Sequence, residues 1–362
     1  MLPLILLIGR VTVFAQAPVS SPKPVDGISA STPGNPTDKK PTEADKVRRW
    51  IEFDALSLST RYRFIEARSH QTIANQDQYQ VVARGRFKFD SKGKYSVYAG
   101  LFTGQNLTSG WNNTGWGTGD AQTNLHLKQL YFNAKPTKWL EVQVGGIAGY
   151  NAEQTEITGL DNDAYLTGER VQVRRPKTLF FDEISYTAAF IGDLTTPSVF
   201  RRFDRFDEWN YHQIAVRKQI NKRIGFSVEY AREANRHMLR QAVNVKTAEL
   251  KFIDKVTFEN YQVLDPNPGY GFAVHAEKKL HKRFSLSGGF ARIDQPLFNA
   301  DRFPVGNRFF VYTNTKLTRE FSLSSALIQA VGPLPTAATS RTRLDIILTY
   351  NFLETLRRTK FF

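Results

Sequence analysis

Cysteine is absent from this chain of 362 residues. Without thiols there is no disulfide framework, no Cys-ligated zinc and no thiol nucleophile. Long apolar runs are missing too: beyond the first fifteen residues none approaches the ~20 residues that a membrane-crossing helix needs, which excludes a helical membrane protein. Histidine is scarce, with only His70, His126, His212, His237, His275 and His281, and no nucleophile elbow or metal-binding helix surrounds any of them. Acidic residues are outnumbered, 34 against 49 basic ones, for a net charge of +15. That balance leaves nucleic acid, an acidic lipid surface or an anionic solute as electrostatic partners. The positive charge is dispersed along the whole chain instead of gathered on one face, which argues against nucleic acid.

What is present is alternation. From Trp50 onward, apolar residues alternate with polar or small ones in segments of about ten, the period of a strand with two different faces. Tyr79, Val81, Ala83, Gly85, Phe87 and Phe89 share one face, and Gln80, Arg84, Arg86, Lys88 and Asp90 share the other. Leu56, Leu58, Thr60, Tyr62 and Phe64 oppose Arg61 and Arg63. Leu344, Ile346, Leu348 and Tyr350 oppose Arg343, Asp345 and Asn351.

The connections fall into two classes. Short basic turns are expected at 91–94, 136–138, 176–177, 221–223, 254–255, 281–283 and 318–320. Longer Gly, Asn, Asp and Pro-rich loops are expected near 68–77, 104–121, 150–168, 193–207, 233–241, 263–270, 294–306 and 332–340. Fifteen connections join about sixteen strands, with fourteen and eighteen as neighbouring counts. Turns at one end and loops at the other are the asymmetry of a transmembrane antiparallel up-and-down β-barrel. The fold class expected is therefore all-β. A soluble sandwich would have to bury the charged face, and desolvating so many charges is prohibitive.

Residues 1–17, ending Ala15-Gln16-Ala17, read as a secretory signal peptide. Residues 18–47, rich in Pro, Ser and Thr, read as a flexible tail, and 48–362 as the barrel.

The signal-like start, the short basic turns, the strand Asp345-Ile346-Ile347-Leu348-Thr349-Tyr350-Asn351-Phe352 and the terminal Phe362 together resemble bacterial outer-membrane porins. The resemblance implies a bacterial outer-membrane location and a passive channel for small hydrophilic solutes, with outer-membrane lipid around it, a homotrimer as an option, and no cofactor or metal. The basic balance makes anionic solutes the expected cargo. Apolar residues facing lipid would set Arg61, Arg63, Arg84, Arg86, Lys88, Lys128, Arg174, Arg217 and Arg343 along the pore. The third long loop carries Glu153, Glu156, Asp161 and Asp163, and the resemblance implies that it folds inward as a constriction, its carboxylates facing the basic wall. Lying over the mouth is the alternative. Asp161-Asn162-Asp163 lacks the Gly and Glu of a calcium loop. Arg201-Arg202-Phe203-Asp204-Arg205-Phe206-Asp207 offers cations and rings for an anion or a sugar, or only surface decoration. Two other functions stay open: an Arg-lined barrel similar to alginate exporters that passes an acidic polysaccharide, and an outer-membrane hydrolase.

Overall fold

Alternating segments can satisfy their backbone only by pairing, and here the pairing runs until the sheet meets itself. The computed structural model describes residues 50–359 except 108, 117–124, 161–164, 193, 248–250, 267 and 295–302. The segments 1–47, Asp161, Asp163 and Phe362 lie outside the described residues. The strands are β1 (Ile51–Ala67), β2 (Thr72–Lys88), β3 (Tyr95–Phe102), β4 (Gly115–Trp116), β5 (His126–Thr137), β6 (Leu140–Ala148), β7 (Tyr165–Arg174) and β8 (Glu183–Phe190), followed by β9 (Tyr211–Gln219), β10 (Ile224–Glu233), β11 (Arg236–Lys246), β12 (Lys255–Val263), β13 (Tyr270–His281), β14 (Phe284–Ile293), β15 (Gly306–Lys316), β16 (Phe321–Ala330) and β17 (Ser340–Asn351). All neighbouring pairs are antiparallel, and β1 pairs with both β2 and β17, Tyr62 standing opposite Asp77 on one side and Ile346 on the other. Sixteen strands thus form a closed wall without edges, and the two-residue β4 pairs with β2 alone. Closure satisfies each strand's backbone, which is what hydrocarbon demands.

Seven connections close this end of the wall as expected, but two are longer than expected: 176–177 widens to 175–182, and 254–255 becomes 247–254, with Lys255 already in β12. Most are held by a side chain of the turn itself: Asp90 accepts the N–H groups of Lys92 and Tyr95, both at 2.8 Å. Asn221 accepts those of Arg223 and Ile224, and Thr318 those of Glu320 and Phe321. The Tyr95 amide in the first place holds the Asp90 carboxyl below its ordinary value of 3.8. At Asp254 the Lys278 ammonium does so first, with the Lys279 amide second. A depressed native value means that the stabilisation is complete above the unfolded value and is lost as pH falls below it. Amide exchange at Tyr95 and Lys279, corrected for intrinsic rates, should therefore be flat from pH 8 to about 5 and accelerate once pH drops below about 3.8.

Two of the eight expected long loops are instead tight hairpins. The segment 68–77 shrinks to 68–71, because β2 continues to Thr72 with β1 on one side and, above the end of β3, β4 on the other. The segment 233–241 shrinks to Ala234-Asn235, with Ala234 at φ 52° and Glu233 opposite Arg236. The charges at 236–240 that read as a loop belong to β11, where Arg240 is fully buried against Glu229. The sparsely alternating segments near 168–175 and 256–262 form regular strands, β7 and β12.

One register of each strand carries the exposed apolar side chains, among them Leu58, Tyr62, Phe132, Val171, Tyr230, Phe258, Leu327 and Ile346. At the turn end aromatic rings gather in contact, Phe87 with Phe89, Tyr95 with Phe132, and Phe321 with Tyr350, forming the girdle of a membrane interface. After Asn351, which caps it by accepting the Leu353 N–H, a helix spans Phe352–Arg358. Phe352 therefore follows the last described strand instead of ending it.

Candidate functional site

The opposite register of the wall faces inward, and its character changes along the barrel axis. On β12 the inward residues run Lys255, Thr257, Glu259, Tyr261, Val263 from the turn end to the loop end, and on β11 they run Lys246, Asn244, Ala242, Arg240, Met238. Toward the loop end, Tyr261, Val263, Met238, Ile293, Phe310 and Ile328 join Ile157, Leu160, Phe303, Val305 and Leu334 from the loops in one buried apolar cluster. The barrel's mouth is therefore narrowed by loops packed dry against its wall, while its middle and turn end are charged.

The described part of loop 149–164, residues 149–160, crosses to β9–β12. Gln213 donates to the Tyr150 carbonyl, Arg217 and Asn244 both bond the Glu153 carboxylate, and the Thr155 N–H donates to Glu259 at 2.7 Å. Thr158 Oγ1 adds a bond to Glu259 at 2.8 Å, Thr155 Oγ1 bonds it as well, and His275 Nε2 lies 3.1 Å away behind it. Glu259 and His275 are completely buried. Thus Glu153 is matched by Arg217 directly, and the wall supplies a second carboxylate that holds the loop from the other side. Glu259 was legible as an inward residue of its strand, but nothing in the sequence marks it as the loop's anchor.

The basic wall is heavily paired. Asp345 on β17 receives Arg63 at 2.7 and 2.9 Å and Arg343 at 2.7 Å, and Arg61 stands 4.0 Å away. Glu52, next to the start of β1, takes Arg86 at 2.7 Å and Lys88 at 2.5 Å. Arg174 lies between Glu141 at 2.5 Å and Glu183 at 3.0 Å. Arg84 stands on the same inward register, opposite Ala55. These four carboxylates, Glu52, Glu141, Glu183 and Asp345, were absent from the site residues the sequence suggested, although each lies on the polar register of its strand.

Two of the expected water-facing cations are sealed instead. Arg61 is 2% exposed, bonds Gln78 at 2.9 Å and lies 4.3 Å over the Trp111 ring. Lys128, 1% exposed, donates to the carbonyls of Asn106 and Ser109 at 2.7 and 2.9 Å. Asn106, Ser109 and Trp111 of loop 103–125 cover both, and a cation that has lost water must take fixed acceptors in exchange. The stretch 201–207 is likewise anchored: in the helix Val199–Phe203, Arg202 is buried and donates to the Phe190 and Ile191 carbonyls, while Arg205 pairs with Glu208.

No family model and no curated protein matches this sequence. Solved structures do match in shape. An engineered variant of the porin of Rhodopseudomonas blastica superposes with a TM-score of 0.52 at 10% identity, and two others with 0.50 at 12% identity, each alignment covering 83% of this chain and 100% of the other. The chain is a porin-like β-barrel. At such identity the likeness lies in the fold alone, and the inner side chains of this porin-like barrel are its own.

Proposed function

We propose that the protein is an outer-membrane channel that passes small hydrophilic solutes by passive diffusion and favours anions. The observation that carries this reading is the charge on the wall formed by β17, β1 and β2. Five lumen-facing cations, Arg63, Arg84, Arg86, Lys88 and Arg343, stand there with three carboxylates, Glu52, Asp54 and Asp345, and the sealed Arg61 adds a sixth positive charge behind them. Elsewhere acids and bases are closely matched, as in Arg217 with Glu153 and Arg174 with Glu141 and Glu183. The excess positive potential therefore lies on one side, and loop 149–164, fixed to β9–β12, acts as the constriction opposite it.

Exposed charges in a water-filled lumen are screened within about 8 Å at physiological salt, so the preference should be clear in dilute salt and fade as salt rises. The test is the reversal potential of the reconstituted protein in a salt gradient. The unaltered protein should favour anions, and a variant with Arg61, Arg63, Arg84 and Arg86 all replaced by Gln should shift toward cations while still conducting. A pore that already prefers cations, or a variant that keeps the full anion preference, sinks the selectivity claim. An acidic polysaccharide is the competing cargo, and the dry packing of the mouth disfavours a wide polymer.

A further inference from the structure

Charge is distributed very unevenly between the two ends of the barrel. The seven turn-end connections hold eleven Lys and Arg against five Asp and Glu, whereas the eight loop-end connections hold five against twelve. Within the basic end, the two longest connections are 175–182 and 247–254, eight residues each, and they flank the turn 220–223. These two carry the most exposed large apolar side chains among the described residues: Leu179 at 83%, Phe180 at 80% and Phe252 at 85%. Such apolar surface in water is unfavourable, and an exposed apolar patch of this kind marks an interaction site.

The direction in which the turns lean identifies what covers them. Lys218 stands on the outward register of β9, opposite Phe226, and its ammonium bonds the Thr178 carbonyl and lies 3.3 Å from Asp182. Lys278 stands on the outward register of β13, opposite Leu286, and bonds Asp254 at 2.7 Å. Both turns are thus tied to the outer face of the wall and not to its lumen. They hang beside the aromatic girdle, where the headgroup layer of a surrounding bilayer lies. Asp182 and Asp254 are occupied by these lysines and by the backbone N–H groups of Gln219 and Lys279. The exposed lysines Lys177, Lys222 and Lys251 then present a positive face beside the apolar tips.

We propose that turns 175–182 and 220–223 together with residues 251–254 form a binding site for anionic phospholipid, with Leu179, Phe180 and Phe252 dipping among the acyl chains and Lys177, Lys222 and Lys251 holding the headgroup phosphate and its neighbours. Apolar anchors combined with basic residues are the pairing that gives stable, charge-selective attachment to a leaflet. The site needs a bilayer around the barrel but is independent of what passes through it, so a barrel that conducts nothing would still show it.

The test uses the whole protein in nanodiscs, with Phe180→Trp as a reporter and the emission of the unaltered protein subtracted. Both brominated phosphatidylcholine and brominated phosphatidylglycerol should quench the added Trp, the latter at about one-tenth the mole fraction. The combined variant K177Q/K222Q/K251Q should abolish that difference and keep the quenching by phosphatidylcholine. Folding of each variant is read from its shift in electrophoretic mobility on heating. Absence of quenching by either lipid places the tips in water and overturns the proposal. Equal quenching by both lipids in the protein that keeps its lysines overturns the charge recognition.

Discussion

Glu259→Ala should unfasten loop 149–164 from the wall and markedly lower the stability of the barrel. The carboxylate is the common acceptor for the Thr155 amide, two threonine hydroxyls and His275, all inside a site closed to water. Alanine leaves these buried donors without their partner, at about 1–3 kcal/mol for each group left unsatisfied. Glu259→Gln keeps one carbonyl acceptor and should lose roughly half as much. The denaturant midpoint of the reconstituted protein measures the loss, and single-channel current should become noisier as the loop samples other positions. A Glu259→Ala protein with an unchanged midpoint and a quiet current would show that the loop is held by its apolar contacts at Ile157 and Leu160 alone.

Asp345→Asn should act in two directions at once. The group is 4% exposed and faces three guanidinium groups, so neutralising it leaves Arg61, Arg63 and Arg343 repelling one another with a single weak acceptor between them. Breaking a buried ion pair by removing one partner costs about 3–5 kcal/mol, and that much stability should go. If the barrel conducts as proposed, the wall excess rises by one positive charge, and the reversal potential should move further toward anions. Restoring Asp in the background of Arg343→Gln should show a smaller penalty, because two cations still face the carboxylate. An unshifted reversal potential in a folded Asp345→Asn protein would mean that this cluster lies out of reach of permeating ions.

Much of this architecture was legible because a strand's period is two and its faces differ so strongly. Tyr62, Phe87, Ile346 and Leu348 announced one face, Arg63, Arg86 and Asp345 the other, and most of the short basic turns marked where a strand begins, β8 starting later than expected at Glu183. What escaped was whatever depends on partners remote in sequence. Residues 72–77 look like loop because their composition is polar, yet β1 on one side and Gly115-Trp116 on the other make them strand. Residues 236–240 look like loop because they are charged, although Glu229 and a two-residue turn place Arg240 in the interior. Lys128 and Arg61 look like water-facing cations until the fold of loop 103–125 over them is known. The inward Met238, Tyr261 and Val263 could have warned that the mouth is dry, since apolar residues on the polar register have no reason to be there unless something packs on them.

The pairing of β1 with β17 has a consequence for how the molecule comes into being. Ser59 meets Thr349 at 2.8 Å and Arg63 meets Asp345 at 2.7 Å, so the contacts that complete the wall join positions nearly three hundred residues apart. Loop-closure entropy makes such contacts slow to form, and until they do both outer strands offer unpaired N–H and C=O groups to any neighbouring chain. Nothing short of the complete strand set has a sealed circumference. A chain that stops before Ser340 would therefore give an open sheet prone to aggregation instead of a smaller barrel, and its yield in detergent should fall to near zero while that of a chain stopping after Phe352 should not.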